Sequence, residues 1–123
     1  MCKILISINP EYVEKILSGE KKYEFRKINP KRKVDKLIIY ETYPLMKVVA
    51  EAEVKTTLYD SLETIWNITK EFSGISKDFF DDYYINKEKA LAFELIKVKK
   101  FPNPKDLSDY NIKVAPQSFI YLD

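Results

Sequence analysis

Within the first 27 residues the spacing of apolar side chains changes twice, and no other feature narrows the fold as much. KILISI (Lys3 to Ile8) is a continuous, β-branched apolar run of strand length. It stops at Asn9-Pro10, where Asn can cap and Pro can open a helix. In PEYVEKILSG the apolar Tyr12, Val13, Ile16 and Leu17 recur at helical spacing, Glu11, Glu14 and Lys15 lie elsewhere on the cylinder, and Gly19 suits the left-handed residue that ends a helix. Tyr23 and Phe25 then alternate with Lys22, Glu24 and Arg26, the period of two of a half-buried strand. The chain therefore opens as strand, helix, strand, with GEKKYEFRK at the second junction.

After the basic loop INPKRKV, KLIIYET reads as a strand buried on both faces, and Val48, Ala50, Ala52 and Val54 alternate with Glu51 and Glu53 as a strand with one wet face. Asp60 and Glu63 resemble a capping box ahead of Leu62, Ile65, Trp66 and Thr69 at helical spacing, with Gly74 as the stop. A further helix from about Ser76 carries Phe79, Phe80, Tyr83 and Tyr84 on one side, expected to pack on the sheet. NKEK turns the chain into a strand, Ala90 to Lys99, which FPNP is expected to end, and SFIYL is a short closing strand. Segregated helices and antiparallel neighbours make this an α+β chain, and five to six short, mostly antiparallel strands with three helices limit exposed edges best as a small curled or barrel-like sheet.

Size and composition bound the function. One domain over residues 1–123 is expected, since 123 residues with nine Tyr, seven Phe and only two Gly can bury a core that offsets ordering entropy. No apolar run is long enough to cross a bilayer, and MCKILISINP lacks a signal peptide's features, so a cytoplasmic protein with no membrane partner is expected. With no histidine and Cys2 as its lone cysteine, the chain has no internal disulfide, zinc site or histidine-based triad; neither metal nor cofactor is expected. No signature of an oligomeric state is present.

Charge is uneven beneath a net of +2. Eight basic residues between Lys21 and Lys36 face only Glu24 and Asp35, whereas eight acids face four lysines from Asp60 to Glu94. The first region suits a polyanion and the second repels it. An ordinary bipolar surface fits the same pattern, as does a protein-interaction domain using the acidic helices through Asp81 and Asp82.

Lys21, Glu24 and Arg26 form K-x-x-E-x-R at the helix-to-strand junction. Glu24 and Arg26 share a strand face, and an irregular backbone at Lys21 can swing its side chain to the same side. A carboxylate between two cations stays ionised and can accept from an amino group, while Lys and Arg donate to phosphate or carbonyl oxygens. A buried Lys21 beside Arg26 can also become a base. The alternative is an exposed ladder of strand charges, worth little. Tyr12, Tyr23, Tyr40, Tyr43, Trp66 and Tyr121 are candidate platforms for a base as well as candidate core residues, and Tyr40 and Thr42, at the end of the third strand, are the preferred pocket walls. Gln117 and Ser118 in APQSF can read a base edge or simply close a turn.

ILSGEKKYEFR with its preceding strand and helix, LIIYET after the basic loop, the SGISKDFFDDYY helix and the terminal PQSF-YL together resemble a compact, stand-alone ASCH domain protein of the PUA-like superfamily. The core of the resemblance is G-x-K-x-x-E-x-R on Gly19, Lys21, Glu24 and Arg26. It implies a small β-barrel with helices at one side, and a cleft beside the motif that accepts RNA, with DNA as an alternative, or a modified nucleoside. Lys21, Glu24 and Arg26 would then bind the ligand, Tyr23 or Tyr40 would stack on it, and Lys27 to Lys33, including Arg32, would steer a nucleic-acid backbone. Bacterial N4-acetylcytidine amidohydrolases of the superfamily use a lysine, a threonine and a glutamate. Lys21 matches the lysine, Glu24 stands at the threonine position, and Ser73 stands at the acid's place with Glu71 two residues away. As an enzyme, the chain would rely on Lys21 and Glu24. Another ASCH branch is associated with ribonuclease activity.

Overall fold

The computed structural model describes residues 1–122. Its strands are β1 (Lys3–Ile8), β2 (Tyr23–Arg26), β3 (Lys36–Glu41), β4 (Lys47–Ser61), β5 (Lys89–Lys105) and β6 (Phe119–Leu122), and its helices are α1 (Pro10–Ser18), α2 (Leu62–Thr69) and α3 (Lys77–Tyr83). The six strands form one curled, mixed sheet in the order β2-β5-β4-β3-β1-β6, a half-barrel. All neighbours are antiparallel except β1 and β3, which pair from Lys3–Lys36 to Ile8–Glu41 in parallel.

Period-two alternation sorts the strand residues between three cores. Ile4, Ile6, Leu37, Ile39, Leu91 and Phe93 point into the barrel, where Val13 and Ile16 of α1 close it. Leu5, Ile38, Tyr40 and Val48 point outward and are covered by Leu107, Tyr110 and Ile112 of the segment after β5. Ala90 and Ala92 face a third cluster with Phe25, Ile65, Phe80 and Tyr84, their small side chains letting α2 and α3 approach the ribbon of β4 and β5.

Several boundaries depart from the sequence reading. Ser61, not Asp60, caps α2: its Oγ accepts from the Thr64 N–H at 3.2 Å. That helix ends at Thr69 and passes through a 3-10 turn (Lys70–Phe72), so Gly74 lies beyond it in a positive-φ turn. Asn9 precedes α1 but its side chain makes no cap; Asn9 Oδ1 accepts from Thr42 Oγ1 at 3.2 Å instead. FPNP does not end β5. Between the pairs Ala50–Lys100 and Val48–Lys105 the register slips, and the two prolines occupy that irregular stretch, where a missing N–H costs no regular ladder bond. The aromatics of α3 divide rather than share one face: Phe80 and Tyr84 are buried under the sheet, while Phe79 and Tyr83 look toward β2 and α1.

Candidate functional site

The gap in the half-barrel lies where edge strand β2 approaches the end of β1, and Arg26 spans it. Its Nη2 donates to the Ser7 carbonyl at 2.7 Å, and its Nη1 donates to the Phe25 carbonyl at 2.7 Å and to Glu24 Oε2. The guanidinium thus ties two non-adjacent strands together while pairing with a carboxylate, a use of fixed fork geometry that lysine cannot reproduce. Glu24 is only 5% exposed. Its charge is tolerable there because Arg26 binds one oxygen and Lys21 Nζ stands 3.9 Å from the other.

Lys21 is 3% exposed and held from every side. Its N–H bonds the Lys15 carbonyl at the end of α1, and Nζ donates to the Ser73 carbonyl at 2.6 Å. The ammonium lies 4.8 Å from the Phe25 ring centroid and 5.5 Å from that of Tyr12. Its methylene stem lies flat on Gly74, where a Cβ would fall 2.6 Å from Lys21 Cβ and 2.8 Å from Cδ. Burial pushes the Lys21 pKa down, the Glu24 carboxylate opposes that fall, and Arg26 and Lys15 add to it. Burial, seconded by Glu11 and Glu24, raises the Tyr12 phenol; burial likewise raises Tyr83, against the pull of Arg26.

These three charged residues line a cleft of about 240 Å³. Tyr12, Phe79 and Tyr83 form an aromatic wall, in which the Phe79 and Tyr83 rings lie within 10° of parallel at 6.3 Å and Tyr12 sits 5.8 Å from Phe79. Ser7, Asn9, Gln117 and Ser118 give a polar rim. That rim is a built feature: Ser7 Oγ donates to the Pro116 carbonyl at 2.7 Å, and the Ser7 N–H donates to the Ser118 carbonyl at 3.0 Å. Donors, one carboxylate acceptor and flat apolar faces therefore converge on one concavity.

The remaining sequence candidates are placed as follows. Gln117 and Ser118 line the cleft. Lys27 lies at its margin, with Nζ 4.6 Å from the Tyr83 ring centroid, and Arg32 stacks 4.3 Å over Tyr121 farther along the same loop. Tyr40 is not a pocket wall: it shares a face with Ile38 and is buried in the outward core. Thr42 is spent on Asn9, one residue removed from the cleft, and Tyr23 packs against the α2–α3 cluster instead of lining it. Ser73 reaches Lys21 only through its carbonyl; its hydroxyl is bonded within its own turn, to the Ile75 carbonyl at 2.9 Å, and Glu71 is exposed outside the cleft. Those positions remove Ser73 Oγ and Glu71 from reach of a ligand in the cleft.

Phe79, Tyr83 and Asn9 line the cleft although the sequence points to sheet packing for the first two and a helix cap for the third. The i,i+4 pair Phe79/Tyr83 beside the buried pair Phe80/Tyr84 is the signal that such a helix has two aromatic faces. Among the described residues no cluster of His, Cys, Asp and Glu could hold a metal ion, and no helix is long and apolar enough to cross a membrane.

The model of the ASCH domain matches residues 6–105, which include all of GEKKYEFRK. The chain belongs to the ASCH domain family. Its curled sheet superposes on the crystal structure of ASCH from Zymomonas mobilis with a TM-score of 0.87 and 28% identity, over 98% of this chain and 87% of that one. It is 33% identical over 92 residues, 74% of this chain and 62% of the relative, to an ASCH domain-containing ribonuclease of Zymomonas mobilis. It is also 38% identical over 120 residues to a protein named large ribosomal subunit protein uL22 in Ureaplasma parvum, matching 97% of this chain but spanning only 39% of that relative's length.

Proposed function

We propose that this ASCH domain is a nucleic-acid-binding module whose cleft receives one unstacked base, or a modified nucleoside, of RNA. One observation carries the reading: the buried Lys21 and Glu24 and the half-buried Arg26 face an aromatic wall across a cleft with a polar rim. Sequence-specific RNA recognition works on splayed bases that stack on aromatic faces and are read along their edges. In this reading Glu24 accepts from an exocyclic amine, Lys21 and Gln117 donate to a ring carbonyl, and Phe79 and Tyr83 stack. Arg26 orients Glu24. The relative named as a ribonuclease supports an RNA setting, and a regulatory part in transcription or translation suits a small binding unit of this kind.

Fluorescence anisotropy with labelled single-stranded 12-nucleotide RNA and DNA at low salt tests it. Binding that favours RNA and weakens about fivefold or more in Phe79→Ala is expected, since stacking contributes about 1–3 kcal/mol per base. No binding at low salt, or an unchanged affinity in Phe79→Ala and Glu24→Gln alike, refutes it.

A second reading, hydrolysis, draws on the burial that lowers the Lys21 pKa and on the relative named as a ribonuclease. Here a deprotonated Lys21 would take a proton from water attacking the amide of an N4-acylated cytidine and return it to the N4 amine as the C–N bond breaks, or take one from a ribose 2′-hydroxyl attacking the adjacent phosphate and return it to the departing 5′-oxygen as the P–O bond breaks. Mass spectrometry after incubation with N4-acetylcytidine and with RNA decides: turnover lost in Lys21→Ala supports it, and no product from either substrate removes it.

A further inference from the structure

A second concavity, of about 540 Å³, runs between the loop Asn29 to Val34 and the β4 stretch Val54 to Tyr59. Four cations line it, Lys31, Arg32, Lys33 and Lys55, with the hydroxyls of Thr56, Thr57 and Tyr59 and, among the described residues, no carboxylate. Lys31, Lys33 and Lys55 are exposed, and none of the three forms an ion pair among the described residues. Lys31, Lys33 and Lys55, gathered around hydroxyl donors, repel one another until an anion is present.

The groove is linked to the cleft by the basic loop that runs between them. The loop that forms its wall leaves β2 at Arg26, passes Lys27 against the cleft's own Tyr83, and is pinned farther on where the Lys31 N–H donates to Tyr121 Oη at 3.1 Å and Arg32 covers the Tyr121 ring. Tyr121 lies in β6, three residues after the cleft's Ser118. The basic loop is therefore a strap held at both ends, one end at the cleft and the other at the groove.

We infer that the groove binds the sugar-phosphate backbone of a single-stranded polynucleotide whose neighbouring nucleotide occupies the cleft. The ligand is then a strand rather than a free nucleoside, and Lys55 of β4, far in sequence from the basic loop, supplies the opposite wall of its track. Phosphates pair with Lys31, Lys33 and Lys55, and the exposed Tyr59, with Lys89 Nζ 5.2 Å from its ring centroid, offers a base platform beside them. The inference rests on the nucleic-acid reading of the cleft only for the end of that path.

The test compares wild type, the triple variant Lys31→Gln/Lys33→Gln/Lys55→Gln and the cleft variants Glu24→Gln and Phe79→Ala, using the labelled 12-nucleotide RNA over a salt series. Each variant's thermal melt is recorded to confirm folding. The triple variant is expected to bind roughly tenfold or more weakly at low salt, with the slope of log affinity against log salt shallower by about two, at ~0.7 for each phosphate that the protein no longer neutralises. Glu24→Gln is expected to weaken binding with the slope unchanged. Wild-type affinity and slope in the triple variant overturn the groove. Loss in the triple variant with none in either Glu24→Gln or Phe79→Ala upholds the groove and sinks the cleft reading instead. A 12-base-pair RNA duplex that competes as well as the single strand overturns the assignment of a single-stranded ligand.

Discussion

Lys21 and Gly74 are moulded to each other: the lysine stem lies where the side chain of any other residue at 74 would begin, 2.6 Å from Lys21 Cβ. Residue 74 also has φ +71, so the turn needs glycine for its backbone as well as for the space. The turn from Lys70 to Ser76 is in this way folded down over the lysine that it helps to bury.

Gly74→Ala should therefore cost about 2–4 kcal/mol in urea unfolding, left-handed strain adding to overpacking. Gly19→Ala is the control. Its φ of +88 carries the strain, but nothing lies within 4 Å of a new Cβ, so about 1–2 kcal/mol is expected. Equal losses at the two positions would mean that the packing on Lys21 contributes little.

Arg26 should not be replaceable by lysine. Arg26→Ala leaves the buried Glu24 with only the 3.9 Å Lys21 contact and unties β2 from Ser7, a loss of about 3–5 kcal/mol. Arg26→Lys keeps the charge but cannot serve Glu24, the Phe25 carbonyl and the Ser7 carbonyl together, so most of that loss should remain. The double variant Arg26→Met/Glu24→Gln should recover part of it, because no buried carboxylate is then orphaned and the Lys21 ammonium keeps its bond to the Ser73 carbonyl. Full stability in Arg26→Lys by chemical denaturation would contradict the bridging role.

Lys21 should titrate below the other lysines. Its 13Cε resonance is expected to move with pH earlier than the rest, and Glu24→Gln should move the midpoint lower still, because Glu24 is the group that opposes the fall. The sign for stability follows. Between the lowered folded value and the ordinary 10.5 of the unfolded chain, the unfolded state holds more protons at this site, so the contribution of Lys21 to stability rises with pH across that window. Lys21→Met should abolish that rise. A midpoint at the value of exposed lysines would show that the ammonium is solvated.

Tyr40 and Phe79 should separate stability from binding. Tyr40→Ala empties a buried site in the outward core and should cost about 3–5 kcal/mol while leaving the affinity of the folded protein for RNA unchanged. Phe79 is 43% exposed, so Phe79→Ala should leave the melt within a few degrees of wild type while weakening binding. Thermal melts and anisotropy on the same samples check both.

Much of this arrangement is legible along the chain where it depends on local period. The spacing of Glu24 and Arg26 on a short strand, after a helix closed by Gly19, is enough to align a carboxylate with a guanidinium. What encloses them is not local. Ser73 and Gly74 arrive over Lys21 from 52 and 53 positions away, and no periodicity in GEKKYEFRK announces them. Tyr40 illustrates the opposite error: its place at a strand end suggests a pocket wall, but strand parity aligns it with Ile38 and Leu5 under the Leu107–Tyr110 turn. For α3 the sequence shows four aromatics on a helical side, yet a seven-residue helix wedged between sheet and cleft gives each i,i+4 pair a different neighbour. Asn9 reads as a cap by type, and only the nearby Thr42 hydroxyl takes its side chain elsewhere.

The most direct measurement is a 1H–15N correlation titration of the folded protein with short single-stranded RNA. The expected result is a contiguous set of shifting amides at Ser7, Asn9, Lys21 to Arg26, Phe79, Tyr83, Gln117 and Ser118, continuing into Lys31 to Val34 and Lys55 to Tyr59. Shifts confined to the acidic faces of α2 and α3 around Asp81 and Asp82, with the cleft amides unmoved, would contradict it.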